Sequence, residues 1–360
     1  MFRKLSLFQK ILYILNVPTA LALLIADGAY YINSSTVLGS WLAIFSIGWP
    51  VLAILNILFV LLWSIFLKRT LLLSLFVLIL GIPQFKASYS FSSRQKHFIP
   101  GESIKVMSYN VRGYDRYRWL YKNLQKEKFT DFFRNNRPNI LCVQEHMKHY
   151  TSPNIHLKYV HEESKYRPMT FGLATYSDYP IIQKGKVDFT DQTGPYGFFI
   201  FTDVLFKNDT IRIYNAHLMS NYLNPNEYEA LKELDTDRSE EIERDIRDIL
   251  KRLRKGAMVR GSQIEDIVAH METWNGPMLL CADLNSTPTT FPYRSLAGRW
   301  NDAFVESGKG FGNTYSRIPV PLRIDHIFVN DRLEAYNYRI LGFDYSDHFP
   351  VTVELELLSK

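Results

Sequence analysis

Polar side chains stand at the ends of several short apolar runs beyond residue 100 of this 360-residue sequence. The runs are rich in β-branched and aromatic residues, a composition typical of strands. Their polar endings are Asn110, Glu145, His217, Asp283 with Asn285, Asp325, and Asp347 with His348. Any one of them alone is explained by turn chemistry. As a set they supply carboxylates for a hard cation, a base for water and donors for phosphoryl oxygens, which hydrolysis of a phosphoester requires.

The ligand types in this set bear on the choice of metal. Carboxylates, amides and imidazoles without thiolates favour Mg²⁺ or Mn²⁺ over structural zinc. Cys142 and Cys281 lie inside apolar runs, which predicts small buried side chains, with a bridge or a ligand role as the alternative. Four more histidines have no regular ligand spacing and are interpreted as loop residues: His146, His149, His156 and His161.

The order of the motifs SYNV, QE, NAHL, ADLNSTP, RIDHIF and SDHFPV resembles that of the endonuclease/exonuclease/phosphatase superfamily, over roughly Ile104–Leu357. The resemblance implies a four-layer α/β sandwich, with two mixed β-sheets packed face to face, helices outside, and the active site at one end of the sheets. It also implies a metal-dependent phosphoric ester hydrolase. One departure is Ala282, where many members have glycine, and it removes no side chain with a chemical role.

The resemblance assigns three residues to the metal, which would be Mg²⁺ or Mn²⁺. Glu145 resembles the metal-binding glutamate, Asn110 the asparagine beside metal and phosphate, and Asp347 a second carboxylate near the metal. Asp283 resembles the aspartate that orients or deprotonates the attacking water.

The remaining catalytic positions are implied in the same way. Asn285 would hold a phosphate oxygen, and His348 would contact the scissile phosphate while Asp325 fixes the tautomer of its ring. His217 resembles the catalytic, substrate-binding histidine of the deoxyribonuclease I, sphingomyelinase and inositol-phosphatase branches. For His217 the alternative is a strand-end histidine bonded to a turn.

Residues 1–86 are predicted to form a transmembrane anchor of three helices, at about 5–26, 41–67 and 70–85. Basic residues precede the first segment and join the second to the third, whereas residues 27–40 contain no lysine or arginine. The positive-inside rule therefore predicts that the catalytic domain lies outside the cytoplasm. The resemblance implies a membrane-anchored bacterial member, which would be located in the inner membrane. If the third segment, which contains Pro83, were re-entrant, that domain would be cytoplasmic.

Residues 87–103 are predicted to be a linker and residues 104–360 the catalytic domain, with helices at 121–135, 237–255 and 262–273.

Residues 1–86 carry six basic side chains and one acidic one, which leaves 36 basic and 35 acidic residues for the rest of the chain. A domain-wide positive field for nucleic acid is thus excluded. The basic run Arg244–Arg260 is interpreted as a solvated helix face, or else as a contact with anionic head groups.

These observations predict a membrane-anchored, divalent-metal-dependent phosphoesterase. The favoured substrate is a phospholipid or sphingolipid head group, because the anchor holds the domain at the bilayer. One alternative is an extracytoplasmic nuclease that degrades DNA or RNA. Another is a non-catalytic binding module on the same scaffold. No protein partner is inferred from the sequence.

Overall fold

The computed structural model describes residues 5–115, 126–147, 153–164, 171–191, 197–221, 239–317, 320–343 and 345–358. The chain divides into two compact units. The unit that contains the predicted anchor is termed the anchor unit and comprises Met1–Ala87, Ser220–Gly261 and Pro288–Arg294. The unit that contains the predicted catalytic residues is termed the catalytic unit and comprises Ser88–Met219, Ser262–Thr287 and Ser295–Lys360.

The N-terminal part of the anchor unit is helical. Its helices are α1 (Leu7–Tyr31), α2 (Val37–Phe45), α3 (Trp49–Ile65), α4 (Leu71–Leu80) and α5 (Ile82–Ser88). Ser6 and Gln9 form a capping box that begins α1, since each side chain accepts a hydrogen bond from the other's backbone N–H. The helices Leu7–Tyr31 and Val37–Ile65 are long and apolar enough to cross a membrane. The α4–α5 pair passes the same test as one span bent by 58°.

The catalytic unit contains two six-stranded mixed sheets within the described residues. The first has the order β13–β14–β2–β3–β5–β4, with β2 (Ser103–Asn110), β3 (Ile140–His146), β4 (Tyr159–Ser164), β5 (Gly172–Ser177), β13 (Leu333–Ile340) and β14 (Val351–Leu357). The second has the order β10–β12–β9–β8–β7–β6, with β6 (Ile181–Asp188), β7 (Phe198–Phe206), β8 (Asp209–His217), β9 (Met278–Asp283), β10 (Asn301–Asp302) and β12 (Asp325–Val329). In each sheet the two central strands are parallel and their neighbours antiparallel.

The inner faces of the two sheets share one hydrophobic core. Val106 and Cys142 enter it from the first sheet, and Ile213 and Cys281 enter it from the second. Both cysteines are buried and free, as predicted from their apolar surroundings. Two packed mixed sheets, flanked by helices and preceded by apolar helices, confirm the predicted fold class.

Helices cover the outer faces of both sheets. Helix α6 (Lys126–Asn135) packs Phe129, Phe132 and Phe133 against Tyr109 of the first sheet. On the second sheet, His270 of the helix Ser239–Met271 lies against aromatic side chains of β7 and β8. Short helices α8 (Phe291–Ala297) and α9 (Ala303–Ser307) follow β9.

The helix α7 (Ser239–Met271) replaces two helices that the sequence predicts at 237–255 and 262–273, and the predicted break between them is wrong. Gly256 and Gly261 lie at this point of α7, and each is in close contact with its surroundings. An added Cβ at Gly261 would lie 2.3 Å from the backbone nitrogen of Ser35. These glycines allow close packing, and they do not end the helix.

The segment after α5 pairs with the catalytic unit. Strand β1 (Tyr89–Ser90) forms a two-stranded antiparallel sheet with β11 (Gly310–Phe311). The Ser90 hydroxyl donates to Gly308 O at 2.9 Å, and the backbone N–H of Ser93 donates to the same oxygen at 2.8 Å. This part of the segment 87–103 is therefore ordered by strand pairing.

Candidate active site

The polar strand ends named above meet at one edge of the catalytic unit. Asn110 is the last residue of β2, and Glu145 is the second-last residue of β3. His217 is the last residue of β8, and Asp283 is the last residue of β9. Because β2–β3 and β8–β9 are parallel pairs, the carboxyl ends of each pair lie side by side. Strand β12 runs antiparallel to β9, and its first residue, Asp325, is paired with Asp283.

Asn110 links the two sheets through its side-chain amide. Its Nδ2 donates to Asp283 Oδ2 at 2.9 Å and to Glu145 Oε1 at 3.2 Å. Its Oδ1 accepts the backbone N–H of Arg112 at 3.0 Å. Asn110 is completely buried, so these contacts hold two carboxylates of different sheets close together.

Glu145 combines an unusual backbone with a buried carboxylate. Its φ is +51°, and the pairing of β3 with β5 shifts register between Val143 and His146. Such a bulge re-aims a side chain away from the regular alternation of a strand. Burial raises the pKa of Glu145, although the nearby charge of His217 and the Asn110 amide act in the opposite direction. A carboxylate desolvated in this way gains stability from a bound cation.

Asp283 is at the centre of the polar cluster. His217 Nε2 lies 3.2 Å from its Oδ2, and His348 Nε2 lies 3.7 Å from the same oxygen. Burial alone would raise the pKa of Asp283, but the two imidazoles and the Asn110 amide hold that pKa well below its usual range. Asp283 is therefore an ionised acceptor, suited to orienting a water molecule.

His348 and Asp325 form a buried imidazole–carboxylate pair. His348 Nδ1 lies 2.9 Å from Asp325 Oδ2, and the backbone N–H of Asp325 donates to Thr314 Oγ1 at 3.1 Å. Burial would lower the pKa of His348, but Asp325 and Asp283 raise it well above its usual range. This pair leaves Nε2 of His348 as the nitrogen that faces Asp283.

His217 and Asn285 lie beside Asp283. Asn285 Nδ2 is 3.2 Å from His217 Nε2, and the backbone N–H of Asn285 donates to Asp283 Oδ1 at 2.9 Å. Asn285 has φ +47°, a second backbone outlier at this edge. Burial would lower the pKa of His217, but the hydrogen bond to Asp283 and the charges of Asp283 and Glu145 raise it.

Asp347 is held by an ion pair with Arg112. Its Oδ2 lies 3.2 Å from Arg112 Nη1. The adjacent Ser346 donates from its hydroxyl to Asn110 O at 2.8 Å, which fastens this segment to the end of β2. The negative charge of Asp347 raises the pKa of Glu145.

Several polar residues of this region were given no role in the sequence interpretation. Gln144 donates to Asn215 Oδ1 at 2.8 Å and to Ser108 Oγ at 3.1 Å, and Asn215 donates to Ala174 O at 2.9 Å. These buried bonds connect the sheets directly behind the cluster. The sequence signal for these residues is an amide side chain inside an otherwise apolar run. Gln144 precedes Glu145 in QE, and Asn215 lies two residues before His217 in NAH.

The interpretation of His146 and His161 as loop residues is wrong. His146 lies in β3 and His161 in β4, and both are buried. Each imidazole has a polar partner, because Tyr114 Oη is 2.9 Å from His146 Nδ1 and Thr202 Oγ1 is 2.8 Å from His161 Nδ1. His156 lies outside regular structure, and His149 is outside the described residues.

Three possible cation ligands that lie close together differ from the predicted metal ligands. Among the described residues, ligand atoms of Asp283, Asp325 and His348 lie within 4.8 Å of one another. The resemblance instead named Asn110, Glu145 and Asp347. Within this set, His348 Nδ1 is hydrogen-bonded to Asp325 Oδ2 at 2.9 Å.

Solved structures with the same fold share little sequence with this chain. An endonuclease/exonuclease/phosphatase from Bacteroides vulgatus is 17% identical, with a TM-score of 0.52, and the match covers 71% of this chain and 99% of that one. The human Nocturnin catalytic domain with bound sulfate is 15% identical, with a TM-score of 0.51 and coverage of 77% and 99%. Humanized D. rerio TDP2 is 13% identical, with a TM-score of 0.51 and coverage of 71% and 99%. These likenesses are of fold.

No curated protein sequence matches the chain. Residues 9–88, which include most of α1 and all of α2 to α5, match the sequence model of a domain of unknown function (DUF8431). Residues 107–348 match the sequence model of the Endonuclease/Exonuclease/phosphatase family, and this segment contains all the residues of the polar cluster. The chain therefore belongs to the endonuclease/exonuclease/phosphatase family.

Proposed function

We propose that this chain is a membrane-anchored, divalent-metal-dependent phosphoesterase that hydrolyses a phosphodiester or phosphomonoester by attack of water. Members of the family are hydrolases that act on phosphoester bonds. The observation that carries the proposal is the position of Asp283, whose Oδ2 faces Asn110 and the Nε2 atoms of His217 and His348. An ionised carboxylate between two imidazoles can accept a hydrogen bond from water while the imidazoles face an anionic substrate.

The metal is proposed to bind at Glu145, with Asn110 and Asp347 near it. The side chain of Glu145 is 18% exposed, and burial raises its pKa, so a cation would compensate a charge that the protein leaves poorly solvated. Carboxylate and amide oxygens fit a hard ion such as Mg²⁺ or Mn²⁺. When bound, that ion would supply Lewis-acid stabilisation for the phosphoryl oxygens.

The protein groups then have separate tasks. Asp283 is proposed to orient the attacking water and to accept its proton. His348, positioned by Asp325, is proposed to donate from Nε2 to an oxygen of the scissile phosphate. Asn285 and His217 are proposed to hold a second phosphoryl oxygen, because Asn285 Nδ2 and His217 Nε2 lie 3.2 Å apart and both residues contact Asp283.

Membrane anchoring is proposed from the way the apolar helices are aligned. Asn16 of α1 donates to Ser74 of α4 at 2.5 Å and accepts from Trp63 of α3 at 3.1 Å. Near the other end of α1, Trp49 Nε1 donates to Asp27 Oδ1 at 2.8 Å and Gln84 donates to Asp27 O at 3.2 Å. Buried polar side chains of this kind join helices inside a bilayer.

These contacts also indicate the path of the third segment. From Asn16 to Asp27 along α1, the neighbouring residues advance from Ser74 to Gln84. The segment α4–α5 thus runs in the same direction as α1 over the same length, through its bend. We propose that it crosses the membrane, which puts Ser88 on the side opposite the N-terminus. With the basic residues Lys10 and Lys68 cytoplasmic, the catalytic unit is outside the cytoplasm.

The proposed substrate is a phosphoester at the membrane surface, with lipid head groups ahead of nucleic acid. Outside residues 1–86 the chain carries 36 basic and 35 acidic residues, which gives no strong field for a nucleic-acid backbone. The alternative of an extracytoplasmic nuclease is favoured by the basic run Arg244–Arg260.

The test is a comparison of kcat/KM by the full-length protein on phospholipid and sphingolipid vesicles, DNA and RNA, at matched Mg²⁺ and near-physiological salt. Asp283→Asn is the inactive control. Metal-dependent cleavage of lipid is the expected result. Efficient cleavage of nucleic acid with none of lipid would establish the nuclease alternative. Hydrolysis of no phosphoester by folded protein would favour the binding module.

A further inference from the structure

The anchor unit carries arginine side chains from distant segments of the sequence against the aromatic residues of its apolar helices. The guanidinium carbon of Arg254, in α7, lies 5.3 Å from the ring centroid of Trp41. That of Arg294, in α8, lies 5.1 Å from the ring of Tyr31 and 5.8 Å from that of Tyr30. Both contacts fall within the range of cation–π interactions.

The depth of these aromatic residues follows from the helix lengths. Helix α3 has 17 residues, which corresponds to about 25 Å, and Lys68 follows its end within one turn. A hydrocarbon core about 30 Å thick that begins at Lys68 therefore ends near Trp49. Trp49 is bonded to Asp27 at 2.8 Å, so this boundary crosses α1 near Asp27.

Tyr30, Tyr31 and Trp41 lie beyond that boundary in the chain, at the level of the lipid head groups. Tyrosine and tryptophan are the residues that prefer this level. Helix α2 exposes Val37, Leu38 and Phe45 at 59%, 59% and 51%, on the face that also carries Trp41. Such a face is suited to the membrane interface and is unfavourable in water.

Helix α7 is brought to this level by a close contact. Gly261 packs on the loop between α1 and α2, where an added Cβ would lie 2.3 Å from Ser35 N and 2.7 Å from Ser34 Oγ. Arg254 precedes Gly261 by seven residues, or about two helical turns, and so lies on the same face of α7. The arginine is therefore directed toward the apolar helices.

Stacking on a ring fixes the plane of each guanidinium. A guanidinium that stacks on a ring presents its N–H groups in the plane of the fork, the geometry that binds phosphate. Nε of Arg254 is buried and has no hydrogen-bond partner among the described residues. Arg294 is exposed. The phosphate of an anionic phospholipid is the acidic group found at this depth.

We propose that Arg254 and Arg294 form an anionic-phospholipid site, in which each guanidinium stacks on anchor aromatic rings and binds lipid phosphate in the leaflet on the Asp27 side. This site rests on the membrane anchoring stated in the proposed function, and it is separate from the catalytic cluster. Nucleic acid is disfavoured as its ligand because the site adjoins an apolar surface that requires lipid.

The test uses the full-length protein in nanodiscs of phosphatidylcholine, with and without phosphatidylglycerol. Native mass spectrometry measures how many phosphatidylglycerol molecules remain bound. Each of Arg254→Glu and Arg294→Glu should weaken phosphatidylglycerol binding about fivefold or more, the factor that corresponds to one basic residue at an anionic surface. Lys207→Glu is the matched control, since Lys207 lies over the Phe206 ring at 5.3 Å in the catalytic unit.

A second variant separates stacking from net charge. Trp41→Leu keeps Arg254 and the apolar surface, and it should still weaken phosphatidylglycerol binding because the guanidinium is no longer held in place. Hydrolysis of a soluble phosphodiester confirms that each variant is folded.

Protein that inserts into nanodiscs but binds phosphatidylglycerol as well in the arginine variants as in the control would overturn this site and leave the anchoring intact. Failure to associate with any bilayer would overturn the anchoring itself. Loss of DNA binding in the arginine variants, with unchanged lipid binding, would also overturn the lipid site.

Discussion

Replacing Asp283 by asparagine tests the centre of the proposed mechanism. Oδ2 of Asp283 receives the Asn110 amide at 2.9 Å and lies 3.2 Å from His217 Nε2, while Oδ1 accepts the Asn285 N–H at 2.9 Å. An asparagine must direct its NH₂ group at one of these two sets of donors. In either orientation the new NH₂ group faces another hydrogen-bond donor. The substitution also removes the negative charge of Asp283, which raises the pKa of His217 and of His348.

The expected loss of activity is at least about 10²-fold in kcat, because an amide cannot accept a proton from water. Breaking a buried ion pair also costs about 3 kcal/mol of folding free energy. The assay is steady-state hydrolysis of a soluble phosphodiester with excess Mg²⁺, together with chemical denaturation. Turnover near that of the unsubstituted protein would remove Asp283 from its assigned role.

Asp203→Asn is the matched control for stability. Asp203 is buried in β7 and binds Arg212 through both carboxylate oxygens, at 2.7 and 2.8 Å, away from the catalytic cluster. We expect a similar loss of folding free energy with normal turnover below the unfolding temperature. If Asp203→Asn lost as much activity as Asp283→Asn, the loss at Asp283 would reflect destabilisation.

Other predictions address the metal, the histidines and the topology. Glu145→Gln should lower activity by weakening metal affinity, so titration with Mg²⁺ or Mn²⁺ should restore part of the rate; a defect that no metal concentration relieves would argue against this role. His217→Ala should reduce kcat by about 10²-fold or more, and full activity would reassign His217 to a structural hydrogen bond. Burial, with a smaller effect of Lys184, lowers the pKa of His161 to about 4 in the folded protein. Between about pH 6.5 and 4, therefore, His161 is protonated in the unfolded chain and neutral in the folded one. Stability should be unaffected by His161 above pH 6.5 and fall by about 2 kcal/mol down to pH 4.5, as measured by denaturation, with His161→Gln showing a shallower fall. Alkaline phosphatase fused after Lys86 should be active, and an inactive fusion beside an active cytoplasmic reporter would reverse the orientation.

The fold and the polar cluster were largely predictable because they depend on local patterns. Strands appear as short β-branched runs, and a residue such as Asn110 or Asp283 that ends such a run is visible without any knowledge of pairing. The contacts that hold the cluster were not predictable in this way. The Gln144–Asn215 bond joins residues 71 positions apart, on different sheets.

The errors have the same physical origin. Gly256 and Gly261 are weak helix formers, yet tertiary packing holds them within α7. His146 and His161 resembled loop residues because their partners, Tyr114 and Thr202, come from other strands or segments. A single sequence contains no direct signal for such distant partners.

The parallel pair at the centre of each sheet has a consequence for how the catalytic unit is assembled. Each sheet repeats one plan, with β2–β3 in the first and β8–β9 in the second, and the chain shows no corresponding repeat in its sequence. The first sheet contributes Asn110 and Glu145 and the second contributes His217 and Asp283, so neither sheet holds the cluster alone. The sheets are not successive halves of the chain, because β13 and β14 complete the first sheet after all the strands of the second. Each of two co-expressed fragments divided between β5 and β6 therefore lacks part of the cluster, and activity should return only when both fragments are present.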